Sequence, residues 1–192
     1  MRTLIPGLLL LLLLPSALAG AATPRQVTDS SAARELEHAG KVHVQWGDPG
    51  KFTEISHSGN RWEAARGNWV YELADHLANQ ASERLADGQQ LQVTFTDIDL
   101  AGDYEPWRGP RASDIRVLRD IYPPRIDLRY QLLDSNGQII ASGEQQLRDL
   151  GYLNSSGSLR YRSTDSLRHE KRMLDRWLQQ LLPDAPARMA GK

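Results

Sequence analysis

Apolar and polar positions alternate or recur along this chain in a pattern that lays out its elements. Val42, Val44 and Trp46 alternate with His43 and Gln45, which predicts a strand with one buried face. Trp69, Val70, Leu73, Leu77, Ala81 and Leu85 recur at three- and four-residue spacing, one stripe of a helix that starts between Arg61 and Asn68 and ends at Asp87-Gly88. Asn68 is a candidate N-cap. Leu91, Val93 and Phe95 then define a second strand, parallel to the first because a helix connects them. Beyond Phe95 the alternation inverts: Asp97 and Asp99 take the apolar positions, and Ile98 and Leu100 the polar ones. A period of two changes sides only where a bulge adds a residue or the strand leaves the sheet, so an irregularity is expected at Thr96–Asp97.

Residues 101–125 hold four prolines, Gly102 and Gly109, and predict a loop with a short helix or strand at Asp114–Asp120. Ile126, Leu128, Tyr130 and Leu132 alternate as a third strand, and Asn136-Gly137 predicts a hairpin to a fourth, from Gln138 to about Leu147. Leu167, Leu174, Trp177, Leu178 and Leu181 line a last helix over Asp165–Leu182, with Ser163 or Thr164 to cap it and Pro183 to stop it. Phe52–Ile55 reads as a short extended piece. The fold class is therefore α+β: a two-layer sandwich of order β-α-β-loop-β-β-α, with a mixed sheet of about four strands and two helices on one face.

The N-terminus changes the picture. Arg2, an apolar run from Leu4 to Leu14 and the small-residue pattern Ala17-Leu18-Ala19 predict a signal peptide over 1–19, cleaved near Gly20. The expected organisation is that signal, a flexible segment at 20–40 with one helical turn at Ala32–His38, a single domain at 41–182 and a disordered tail at 183–192. No later apolar run is long enough to span a membrane. The chain has no cysteine, which removes disulfides, zinc-thiolate sites and thiol catalysis together. Without residues 1–19 the count is 22 basic against 24 acidic residues, a balance that argues against general nucleic-acid binding. A periplasmic or secreted protein of a Gram-negative envelope is expected.

The blocks VTFTDIDLAGDYEPW (93–107), DIRVLRDIYPPRIDL (114–128), LRDLGYL (147–153) and LRHEKRMLDRWL (167–178) resemble an exported bacterial family catalogued as domain of unknown function 3016. The resemblance covers Val42 to Leu182. It implies an envelope protein without an assigned activity, substrate or cofactor, so it brings no site residues with it.

Candidate chemistry gathers in the long loop. Asp97 and Asp99 share a strand face with side chains ~7 Å apart, and Asp103 and Glu105 follow. Clustered carboxylates suit a hard cation or acid/base work. An EF-hand reading fails, because Ala101 replaces a ligand and Arg108 stands where the closing glutamate belongs. Arg108, Arg111, Arg116, Arg119, Arg125 and Arg129 crowd the same region beside Trp107, Tyr122 and Tyr130. Arginine beside an aromatic plane can hold an anionic sugar, lipid head group or peptide terminus. The opposing expectation is a loop laced by its own salt bridges. The five histidines form no metal-binding spacing, and no Gly-rich phosphate loop or nucleophile elbow occurs.

The sequence thus favours a non-enzymatic binding or accessory domain. Its binding candidates are Asp97, Asp99, Asp103, Trp107, Arg108 and Arg111, with no metal and no cofactor, and an envelope protein or anionic envelope component as partner. The alternative is a carboxylate-dependent enzyme or divalent-metal protein centred on Asp97 and Asp99.

Overall fold

The structure, a computed structural model, describes residues 26–154, 161 and 163–183. The expected signal peptide, residues 20–25 and the tail beyond Pro183 lie outside them. Strands β1 (Glu35–His38), β2 (Val42–Trp46), β3 (Gln90–Asp99), β6 (Arg125–Leu133) and β7 (Ile139–Arg148) form one mixed sheet in the order β1-β2-β3-β6-β7. Only β2 and β3 run parallel. The short strands β4 (Asp103–Tyr104) and β5 (Arg116–Val117) pair within the long loop. Helices α3 (Trp69–Arg84) and α4 (Arg168–Leu181) pack on the sheet and on each other, and α1 (Thr53–Ser56) and α2 (Arg61–Ala64) are single turns.

The core follows the apolar stripes. Leu73 and Leu77 of α3 and Leu174 and Leu178 of α4 are fully buried against Leu91, Val93, Phe95, Ile126 and Leu128 of the sheet. Trp69 and Trp177 are buried with them, and His76 of α3 pins the helices together through Asp175 at 2.8 Å. The opposite sheet face is polar, with cross-strand pairs such as Gln45–Thr94 and Arg129–Glu144. This is the α+β layout the patterning predicts, with five strands rather than about four.

The fifth strand is a correction. The stretch expected as a flexible segment with a helical turn at Ala32–His38 instead supplies β1, antiparallel to β2 with Leu36 opposite Val44. Val27 and Leu36 are buried, and the Val27 N–H bonds the Ala65 carbonyl at 2.8 Å. An edge strand with polar residues on three of four positions gives little sequence signal. Phe52–Ile55 is likewise not extended: α1 occupies it. Asn68 stands at the start of α3 but makes no side-chain cap, whereas Asn60 does cap α2 by accepting the Glu63 N–H at 3.3 Å. Ahead of α4 the Asp165 carboxylate, not Ser163 or Thr164, accepts the Leu167 N–H at 2.9 Å.

The β1–β2 turn places Ala39 at φ 51° and Gly40 at φ 64°. Tight hairpins favour this left-handed pair when asparagine or glycine fills it, and alanine gives its first position no support. Ala39→Asn should stabilise the chain by roughly 0.5–1 kcal/mol, read as a higher urea midpoint at unchanged slope. A lower midpoint would mean that Ala39 is chosen for a contact, not for the turn.

Candidate functional site

The irregularity expected at Thr96–Asp97 is present. The pairing of β3 with β6 shifts between Phe95 and Asp97, and the extra residue returns Ile98 to the buried face. Asp97 and Asp99 therefore stand away from the core, where a continuous alternation would have buried them.

Their fates then separate. Asp97 accepts the Thr53 N–H and hydroxyl, each at 2.6 Å, and pairs with Arg125 at 2.7 Å. It anchors α1 to the sheet and is neutralised in place. Asp99 is half-buried and has neither a hydrogen bond nor an ion pair among the described residues. Burial pushes its carboxyl above the ordinary range, against Arg125 and with Asp97 and Asp103 adding to the rise.

Asp99 faces an open cleft of about 200 Å³ between the end of the sheet, the α1 turn and the long loop. Asp103, Ser58, Tyr122 and the two prolines after it line the cleft with Asp99, as do Arg125 and Arg148. Asp103 accepts the Tyr104 N–H at 2.7 Å with one oxygen. Arg148 makes no hydrogen bond or ion pair among the described residues. Ile121 and Leu150 stand at the rim, 70% and 74% exposed.

Buried carboxylates set the cleft wall. Glu54 of α1, 3% exposed, accepts the Leu100 N–H at 2.9 Å and holds the Arg116 guanidinium through both its oxygens. Arg116 in turn donates to the Gly102 carbonyl at 2.8 Å and lies over the Tyr104 ring. Glu170 of α4, fully buried, accepts the Ala101 N–H at 2.6 Å. Successive backbone N–H groups at the end of β3 are thus held by side chains from two different helices. Burial raises both carboxyls, Glu54 to about 7 despite Arg116, and Glu170 as well. Gly102 sits here at φ 82°, and a Cβ on it would meet the Val117 carbonyl oxygen at 2.7 Å, so the β4–β5 pair closes only over glycine.

A third buried acid, Glu105, pairs with Arg108 at 2.5 Å and Arg119 at 3.1 Å and accepts the Tyr122 hydroxyl at 3.1 Å. The loop is therefore laced by its own salt bridges, as the opposing expectation had it. Arg108 belongs to that lacing. Trp107 and Arg111 are exposed on the outside of the loop, and neither lines the cleft. Of the six candidate residues the cleft gathers Asp99 and Asp103, with Asp97 behind it. Ser58, Arg148 and Leu150 are cleft residues that sequence reasoning did not single out, and Tyr122 and Arg125 entered it only as part of the arginine and aromatic crowd. Among the described residues, no group of three or more histidine, aspartate or glutamate side chains is arranged to hold a metal ion. No helix among them is long and apolar enough to cross a membrane.

A mixed five-stranded sheet with two helices on one side and a charged cleft at its end defines a two-layer α+β sandwich protein. Residues 40–180 match the family described as protein of unknown function (DUF3016), and the chain belongs to that family, as its sequence blocks imply. A search of curated proteins found no match.

Proposed function

We propose that this chain is a non-enzymatic binding domain of the bacterial envelope, exported by its N-terminal signal, and that the Asp99–Arg148 cleft is its binding place. The observation that carries the reading is the pair of charged side chains, Asp99 and Arg148, that line one cleft with no hydrogen bond or ion pair among the described residues. Around it, other acids find partners: Glu54 of α1, Asp97 of β3 and Glu105 of the loop are each paired with arginine. Charges left open in a concave place are what a ligand meets first. The carboxylate-pair alternative is weakened because Asp97 is already held by Arg125 and Thr53, which leaves Asp99 without a second acid of matched freedom.

Two measurements test the reading. Expression of the full chain in a Gram-negative host should release a periplasmic product whose N-terminus lies near Gly20; an intact Met1 in the cytosol would remove the envelope role. Soluble envelope extract should move the backbone NMR signals of Leu100–Asp103 and Leu150 in the wild type and in an Arg129→Glu control, but not in Arg148→Glu. Equal responses in all three proteins would place binding elsewhere.

A further inference from the structure

Three charged side chains stand in line across the end of the sheet. Asp99 on β3 is opposite Arg125 on β6, and Arg125 is opposite Arg148 on β7. Directly opposed residues project to one face, so the row reads acid, base, base over roughly 10 Å between the outer two strands. Opposed like charges on neighbouring strands repel. Arg125 is compensated by Asp97, whereas among the described residues no acid pairs with Arg148. At the other end of the row Asp103 reinforces Asp99 on the cleft wall.

This distribution selects the charge type of the ligand. A simple anion drawn to Arg148 would also face Asp99 and Asp103. A metal ion or simple amine drawn to the acids would face Arg125 and Arg148. A molecule carrying both charges a few bonds apart satisfies both ends at once.

We propose that the cleft binds a small zwitterion, its ammonium group between Asp99 and Asp103 and its anionic group on Arg148. The inference rests on the cleft being the binding place. A space of about 200 Å³ suits a ligand of amino-acid or dipeptide size, or the phosphoethanolamine part of a lipid. The exposed Ile121 and Leu150 at the rim offer apolar cover for an aliphatic side chain.

The test titrates the purified chain with L-alanyl-L-alanine, N-acetyl-alanyl-alanine, alanyl-alanine amide and glycerophosphoethanolamine. Binding is followed at the backbone amides of Leu100–Asp103 and Leu150. At least one of the two zwitterions should bind about tenfold tighter than either blocked peptide, the cost of losing one charge-assisted contact. Which zwitterion is tighter identifies the source, a peptide-derived molecule or a lipid head group. For the dipeptide, Arg148→Gln should erase the difference between the free and amidated forms. Asp99→Asn, isosteric and without a hydrogen bond to lose, should erase the difference between the free and acetylated forms. If a head group is preferred, each variant should weaken glycerophosphoethanolamine by a similar factor. Equal binding of blocked and free forms, or selectivity that survives both substitutions, would overturn the proposal. A cleft that ignores all four probes but still responds to envelope extract would overturn the zwitterion and leave the binding-domain reading standing.

Discussion

Glu54→Ala should lower the melting temperature by roughly 10 °C, the largest single loss expected outside the apolar core. The substitution takes from Arg116, which is three-quarters buried, the one carboxylate that pairs with it among the described residues, and it takes the acceptor from the Leu100 N–H. Breaking a buried pair from one side costs about 3–5 kcal/mol because the remaining charge stays desolvated. Each kcal/mol moves the midpoint by about 2–4 °C in a chain of this size. The companion Glu54→Ala/Arg116→Met should recover part of the loss, since an apolar replacement of both partners leaves no stranded charge. If the double variant is less stable than Glu54→Ala alone, the contacts of Arg116 to the Gly102 carbonyl and the Tyr104 ring matter more than its charge pairing.

The second large effect is in pH dependence, where two buried groups oppose each other. Glu54 is raised from an ordinary 4.5 to about 7, chiefly by burial. The folded state therefore holds its proton more tightly, and that stabilisation is whole below pH 4.5 and gone above about pH 7. His169 is lowered from 6.5 to about 4, by burial and then by Arg168 and Arg172. Its contribution is whole above pH 6.5 and lost as pH falls toward 4. Between these limits the two slopes nearly cancel, and the raised Glu170 tilts the balance toward acid. Single variants separate them. Relative to wild type, Glu54→Gln should fare worst at pH 4.5 and below and improve steadily as pH rises toward 7. His169→Phe should gain on the wild type as the solution is acidified. Neither ring nitrogen of His169 has a partner among the described residues, and its ring sits edge-on to Tyr152, so phenylalanine costs no hydrogen bond. A Glu54→Gln difference that is flat with pH would mean that Arg116 keeps Glu54 ionised throughout.

What the sequence makes legible follows from the range of each interaction. The inversion from Phe95 to Ile98 announces the bulge because side-chain alternation is local. Asn136-Gly137 announces the last hairpin, and the Asp134 carboxylate closes it by accepting the N–H groups of Asn136 and Gln138 at 2.8 and 2.9 Å. Counting outward from that turn would have set Arg125 opposite Arg148 to within the one irregularity at Leu132–Leu133, so half the cleft was within reach. The other half was not. Ser58 arrives because Glu54 and Thr53 are tied to Leu100 and Asp97, more than forty positions along the chain, and no spacing rule connects such partners. Trp107 and Arg108 drew attention by composition. Composition does not say that Glu105, between them and the strand, turns inward and holds Arg108 as its partner.

The bulge at Phe95–Asp97 also sets how this segment can vary over evolutionary time. Substitutions there exchange one side chain for another, but a single-codon deletion between Thr94 and Asp97 would restore continuous alternation. With the extra residue gone, Ile98 still falls on the face of Phe95 and both aspartates on the other, now without a kink in the strand. Relatives that keep the cleft are therefore expected either to carry the bulge or to be one residue shorter across this stretch.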